Sequence, residues 1–270
     1  MRPIRYATLV VATTLVSGGC GRESVKVTFI DVGQGDATLI ETPDGRVALV
    51  DAGESDLGSQ LHARGVEQID LLVASHPHDD HIGGLEGIVE RFPVRAYLDN
   101  GVPHETHVYR RLVDAIEARP SITYLAAGPR TIQLGDVTVE VLATHPARRH
   151  GNDGSVALLV RYGEFSVLLT GDAETEALDY LVESGAVPDI TVLKASHHGS
   201  DNGFTEDLLA AGRPEVVVIS VGAGNAYGHP GEQALAAYYA AASEVYRTDL
   251  DGSVTVRGVR NGRYRILTHR

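Results

Sequence analysis

Three imidazoles and two carboxylates fall within six positions of this 270-residue chain, in the run Ser75-His76-Pro77-His78-Asp79-Asp80-His81. Imidazole and carboxylate donors together suit zinc, manganese or iron. His76 and His78 lie two apart, so an extended backbone points them the same way. Asp80 and His81 follow a turn and can face a second ion. The run sits behind an apolar stretch, 69–74, that reads as a buried strand with Asp70 its one charge. Five ligand-type groups packed there would be costly to leave unpaired.

Further candidates recur at strand ends. Asp172, in Thr170-Gly171-Asp172, ends a strongly apolar strand (166–170), where a carboxylate can bridge two cations with its two oxygens. A buried strand (190–194) ends in Lys194-Ala195-Ser196-His197-His198-Gly199; one of His197 and His198 supplies a ligand to the second metal, and the other supports it or meets substrate. Asp51 closes strand 47–50 and either accepts a hydrogen bond from a metal-bound histidine or caps a turn. Asn152 and Asp153 lie in an irregular loop with His145, Arg148, Arg149 and His150. Asn225 and His229 lie in the loop Asn225-Ala226-Tyr227-Gly228-His229-Pro230 after strand 216–220. His104 and His107, at the start of a helix, read first as solvated surface residues and second as part of a lid contributing to the substrate site.

The elements needed to bring these groups together follow from the pattern of apolar residues. Strands at 25–30, 37–41 and 47–50 read as a β-meander with Pro43-Asp44-Gly45 as a hairpin turn. A short helix (57–64) leads to the histidine-motif strand, and a helix over 105–119 is stopped by Pro120. Strands follow at 122–125, 131–134, 137–142, 156–161 and 166–170, then a helix from Asp172 through 183. After strand 216–220 come a helix (231–242) and strands at 245–247, 253–257 and 263–267, closing antiparallel around an Asp251-Gly252 turn. Meander followed by αβ alternation implies a layered α/β fold. Every candidate residue follows a strand, and sites in such folds gather at strand carboxyl ends.

The formal charge is −13, with two lysines, Lys26 and Lys194, against 36 acidic residues. An acidic surface repels polyanions at long range, which argues against broad, non-specific nucleic-acid binding. Residues 1–19 differ in kind: Arg2 and Arg5, then an apolar run (7–16) too short for a stable membrane span, then Ser17-Gly18-Gly19 before Cys20, the one cysteine. This reads as an export signal of the bacterial lipoprotein type, with Cys20 the lipidated residue and Ser17 where such signals usually carry Leu. The protein is then exported and lipid-anchored at the cell envelope, with one folded domain at 24–270 and no transmembrane segment in the mature chain. Cleavage before Cys20 would leave 21 basic against 36 acidic residues, a net of −15. No segment calls for an obligate protein partner.

The His-X-His-X-Asp-His run resembles that of the metallo-β-lactamase superfamily. The resemblance extends over 24–270 and is closest to the metallo-β-lactamase-like domain of ComEC, the bacterial DNA-uptake protein. It is carried by Phe29-Ile30-Asp31-Val32-Gly33-Gln34-Gly35-Asp36, by the histidine run through Gly84, and by Asn152-Asp153-Gly154-Ser155. Leu169-Thr170-Gly171-Asp172, Ser196-His197-His198-Gly199-Ser200 and Asn225-Ala226-Tyr227-Gly228-His229-Pro230 complete it. ComEC's membrane channel has no counterpart here. The resemblance implies a four-layer αβ/βα sandwich with two divalent ions, Zn or Mn, between the sheets. His76 and His78 would hold the first; Asp80, His81 and His197 or His198 the second; Asp172 would bridge them. Where the wider superfamily places a further histidine, this chain has Asn152-Asp153, which shifts preference towards manganese.

Such a site activates a bridging water as a hydroxide nucleophile and neutralises charge on a phosphoryl or acyl oxygen. Asp80 or Asp172 orients the hydroxide. His229, His197 or Lys194 protonates the leaving group or binds a phosphate oxygen. The expected activity is a metal-dependent phosphodiesterase, foremost a nuclease acting on DNA. Alternatives are hydrolysis of a small phosphodiester such as a phosphocholine ester, or of a β-lactam or ester; a non-catalytic metal-binding module ranks last.

Overall fold

A computed structural model describes residues 23–270 except 127, 144, 146 and 148. The export-signal segment, Cys20 and Arg148 lie outside the described residues. In chain order the first elements are β1 (Ser24–Phe29), β2 (Thr38–Glu41), β3 (Val47–Val50), α1 (Gly58–Ala63), β4 (Ile69–Val73), α2 (Asp79–Ile82), α3 (Leu85–Arg91) and β5 (Val94–Asp99). Next come α4 (His107–Glu117), β6 (Thr123–Ala126), β7 (Arg130–Leu134), β8 (Val137–Val141), β9 (Leu158–Tyr162), β10 (Phe165–Leu169) and α5 (Thr175–Glu183). The chain ends with β11 (Val192–Lys194), α6 (Glu206–Gly212), β12 (Val216–Ile219), α7 (Glu232–Ala241), β13 (Glu244–Arg247), α8 (Thr248–Asp251), β14 (Ser253–Val259) and β15 (Tyr264–His269).

These strands form two mixed sheets, ordered β15-β14-β1-β2-β3-β4-β5-β6 and β13-β12-β11-β10-β9-β8-β7. Apolar residues on successive positions of one strand go to opposite faces, and this builds the layers. Leu71, Val73, Val167, Leu169, Val216 and Val218 fill one core between the sheets. Leu72 and Ala74 turn outward to pack with Leu85, Ile88 and Leu112 of α3 and α4. Leu168, Val217 and Ile219 turn outward on the other side, against Leu178, Leu208 and Tyr238 of α5, α6 and α7. The result is the four-layer αβ/βα sandwich. Strands buried on both faces explain why 71–74 and 216–219 are apolar throughout.

β3, β4, β5 and β6 run parallel, as do β10, β11, β12 and β13. Their carboxyl ends therefore collect the segments that carry the candidate residues.

Three expectations need correction. Asp251-Gly252 is not a hairpin turn: β13 pairs parallel with β12 in one sheet, and β14 pairs antiparallel with β1 in the other. Short α8 is the crossover between the sheets, and the closing hairpin is β14–β15. The helix after Asp172 starts three residues later, at Thr175. β5 and α6 have no counterpart in the periodicity reading: β5 is a six-residue strand directly after Pro93, and α6 spans only seven residues. Among the described residues, no helix is long and apolar enough to cross a membrane.

Candidate metal centre

The histidine run leaves β4 at its carboxyl end and enters α2: His76 lies in the bend over 75–77, not on an extended stretch, His78 is the extended residue that precedes α2, and His81 lies in the helix itself. His76 Nε2 and His78 Nδ1 lie 3.1 Å apart, with His76 Nε2 3.9 Å from Asp172 Oδ2. On the other side of Asp172, His81 Nε2 is 3.2 Å from Oδ1 and His198 Nε2 is 3.4 Å from Oδ2. His198 Nε2 also lies 3.2 Å from Asp80 Oδ2. Two donors about 2.0–2.1 Å from one tetrahedral ion stand roughly 3.4 Å apart. Asp80, His81, Asp172 and His198 present one ligand atom each, all within 4.8 Å of one another.

The donor set fits a metal for a second reason. His81 Nε2 and Asp172 Oδ1 are buried and, although 3.2 Å apart, hydrogen-bond neither to each other nor to any other group among the described residues. Orphaned buried polar atoms are costly, and a cation between them removes the cost for both.

His198 and His197 part company through their backbones. Both hold left-handed conformations, at φ 53° and 48°. Such strain costs about 1–3 kcal/mol per residue and concentrates at functional sites. It drives the His198 ring inward, 2% exposed, with Nδ1 3.0 Å from Ser220 O. His197 turns towards the mouth, where Nδ1 lies 3.1 Å from Asn202 Oδ1 and Nε2 3.4 Å from Asn152 Nδ2.

Asp51 Oδ2 is 2.8 Å from His81 Nδ1, and the same carboxylate accepts from Ser75 N and Ser75 Oγ. Asp172 N donates to Ser155 Oγ at 3.0 Å. Asn152 Nδ2 donates to Glu174 Oε1, while its Oδ1 is buried without a partner among the described residues. Asp153 Oδ1 accepts from Glu174 N and closes the turn before α5. Asn225 binds backbone, not the cluster: Nδ2 donates to Gly222 O and His229 O, and Oδ1 accepts from Tyr227 N and His229 N. His229 stands at the mouth, its ring centroid 5.5 Å from that of His197 and 6.5 Å from that of His198. His104 reaches the opposite side, 6.3 Å from His78. His145 packs on Tyr180 instead.

Lys194 lies under the cluster and not at its mouth. It is 2% exposed, its ammonium ion-paired with Asp36 and donating to Gly171 O at 3.2 Å. Asp36 and Ser75 are the residues that spacing alone did not single out, although both lie inside the quoted motifs. Asp36 Oδ1 is 3.5 Å from His198 Nδ1.

These neighbours set the protonation of the metal-free cluster. Burial disfavours charge on every member. At His81 the carboxylates Asp172 and Asp51 outweigh it and hold the imidazole up at about 10. At His198, Asp172 and Asp36 outweigh burial and push it well above its ordinary value. Asp172 in turn is held well below the carboxylate range by His81 and His198. His76, where burial and then the His81 charge dominate, is pushed down, as is His229 by burial and its histidine neighbours.

A four-layer sandwich with this donor cluster at its strand ends defines the class, and residues 30–223 match the Metallo-beta-lactamase superfamily model: the chain belongs to that superfamily of metal-dependent hydrolases. Within it, the chain is 30% identical over 264 residues to ComE operon protein 3 of Bacillus subtilis, covering 88% of this chain and 34% of that one. Recombination protein 2 of Haemophilus influenzae is also 30% identical, over 258 residues, covering 92% and 31%. The resemblance to ComEC-like competence proteins therefore holds, and the chain spans about a third of the length of these relatives. The metallo-beta-lactamase fold protein YhfI from Bacillus subtilis shares the fold at 15% identity and a TM-score of 0.58, over 87% of this chain and 100% of that one.

Proposed function

We propose that this chain is a phosphodiesterase of the ComEC-like type, working with two divalent ions, zinc or manganese, and cleaving DNA. The observation behind this is the convergence of His76, His78, Asp80, His81 and His198 on Asp172 in a chain 30% identical to proteins of competence and recombination. In this reading His76, His78 and Asp172 hold the first ion, and Asp80, His81, Asp172 and His198 the second. Asn152 Oδ1, buried and unpartnered among the described residues, is the proposed oxygen donor that adds to the first; such a donor favours manganese.

When bound, the ions supply an acidified water and offset charge on the phosphoryl oxygens. Asp51 and Ser75 fix the His81 ring. Asp80, half-buried at the mouth, or Asp172 orients the attacking water. His229 and His197, which open to solvent, donate a proton to the leaving oxygen; Lys194, engaged with Asp36, neutralises the floor instead.

A second reading, a small phosphodiester such as a phosphocholine ester, is favoured by the charge of −13 and the scarcity of lysine, since nucleic-acid binding draws on Lys and Arg contacts. Hydrolysis of a β-lactam or ester is the third. The test is cleavage of end-labelled single-stranded DNA by the manganese-loaded protein, beside Asp80→Ala and Asp172→Ala. Cleavage lost in both variants supports the nuclease. Hydrolysis of bis(p-nitrophenyl) phosphate without DNA cleavage transfers the proposal to small diesters. Turnover of a β-lactam alone overturns it. Export and lipid attachment at Cys20 belong to the same proposal and rest on residues 1–20; Cys20→Ala should move the protein from the membrane to the soluble fraction of cells.

A further inference from the structure

Three rings line the way out of the metal centre. His198 lies inside, His229 stands 6.5 Å beyond it at an interplanar angle of 28°, and Tyr227 stacks on His229 at 5.9 Å and 14°. Tyr227 is 70% exposed, the most exposed large apolar side chain among the described residues. A lone surface tyrosine calls for no explanation. This one is held in place. Asn225 makes four hydrogen bonds across residues 222–229, two of them to the backbone N–H groups of Tyr227 and His229. Gln34 Oε1 ties the same loop to the turn after β1 by accepting from Gly222 N at 3.1 Å. An aromatic face is thus fixed, facing water, two ring positions from a ligand atom of the cluster. None of the described residues covers it.

We propose that Tyr227 is the residue that recognises substrate, taking a nucleobase on its exposed face while the adjoining phosphodiester lies over the metal centre. This deepens the phosphodiesterase reading and rests on it. Stacking is indifferent to the charge of the protein, so it provides affinity where lysine is scarce. Base–aromatic stacking is worth about 1–3 kcal/mol per base and tolerates any base. The site therefore takes unpaired nucleotides, because the faces of paired bases are already stacked within a duplex. His104, across the mouth beside His78, marks the opposite wall of the same opening.

The chain contains no tryptophan, so Tyr227→Trp installs a single indole at the proposed contact. In that variant, loaded with manganese and read by stopped flow before turnover, an adenine tetranucleotide should quench the indole and an abasic tetranucleotide of equal charge should not. In the manganese-loaded enzyme, Tyr227→Ala should raise KM for the adenine tetranucleotide about tenfold more than KM for the abasic one, with Tyr227→Phe restoring the wild-type ratio. An equal response of the indole to both ligands, or to neither, overturns the proposal while the wild-type protein still hydrolyses bis(p-nitrophenyl) phosphate. Failure of the wild type to hydrolyse any phosphodiester overturns the underlying reading, and this inference with it.

Discussion

Asp51 Oδ2 stands 2.8 Å from His81 Nδ1, and it does so from a left-handed backbone at φ 58°. Asparagine tolerates that conformation at least as well as aspartate, so Asp51→Asn keeps the backbone while it removes the charge and turns one of the two accepting oxygens into a donor. A carboxylate behind a ligating imidazole orients the ring and raises its basicity, and losing such a partner typically weakens metal binding about 10- to 100-fold. Competition with a chelating dye should show that loss in a folded variant. Unchanged affinity would remove Asp51 from the metal centre.

Loading the centre should release protons. His81 sits at about 10 and His198 well above its ordinary value in the metal-free cluster, so both are charged at pH 7. A ligating histidine must be neutral, which makes uptake proton-coupled. Apparent affinity should therefore rise with pH between 6 and 8. Calorimetry in two buffers of different ionisation enthalpy should show proton release; a pH-independent affinity would contradict the charge assignment. The sign for the metal-free fold is opposite. A histidine raised on folding contributes stability that is complete below its unfolded value near 6.5 and is lost as pH climbs through the folded value. Chelated protein should be less stable to urea at pH 10 than at pH 6.

The local part of the centre could be read from spacing, because His76, His78, Asp80 and His81 lie on one strand end and one helical turn. Asp172 could be read because, although an isolated Asp before a helix can be a simple N-cap, the histidine run demands a carboxylate partner. The choice between His197 and His198 could not. It depends on two consecutive left-handed residues, a conformation that no composition or period signals. The Asp36–Lys194 pair was hidden for another reason: its partners are brought together only by the packing of two sheets. Lys194 looked like a phosphate-binding cation because sequence carries no measure of depth. The crossover through α8 was misjudged because Asp-Gly is a hairpin signal whichever sheet the next strand joins.

That buried pair carries its own prediction. His198 and His81 also lie 3.5 and 3.8 Å from Asp36, but both are neutral once they ligate metal. In the metal-loaded protein Lys194 is therefore the cation left facing Asp36, and burial leaves the carboxylate no water to turn to. Removing one partner of a buried ion pair costs about 3–5 kcal/mol, because the other charge is left uncompensated. Lys194→Met should lose that much stability in urea denaturation. Adding Asp36→Asn should recover part of it, since the uncompensated charge is then gone. Additive losses in the double variant would show that the two side chains do not act as a pair.

Gly35 should prove more critical than its neighbour Gly33, and the reason is contact. Both hold positive φ, at +129° and +78°. A Cβ at Gly33 would meet open space, so Gly33→Ala carries only the backbone cost, about 1–2 kcal/mol. A Cβ at Gly35 would come to 2.2 Å from the carbonyl oxygen of Asp80, the oxygen that accepts from Asp36 N at 3.1 Å. Backbone on that side cannot yield without moving Asp80, and with it the carboxylate 3.2 Å from His198. Gly35→Ala should therefore lose both stability and metal affinity at the second site, whereas Gly33→Ala should lose stability alone. Metal titration of the two variants at a temperature where both are folded separates these outcomes. Equal affinities would mean that the turn after β1 does not set the position of Asp80.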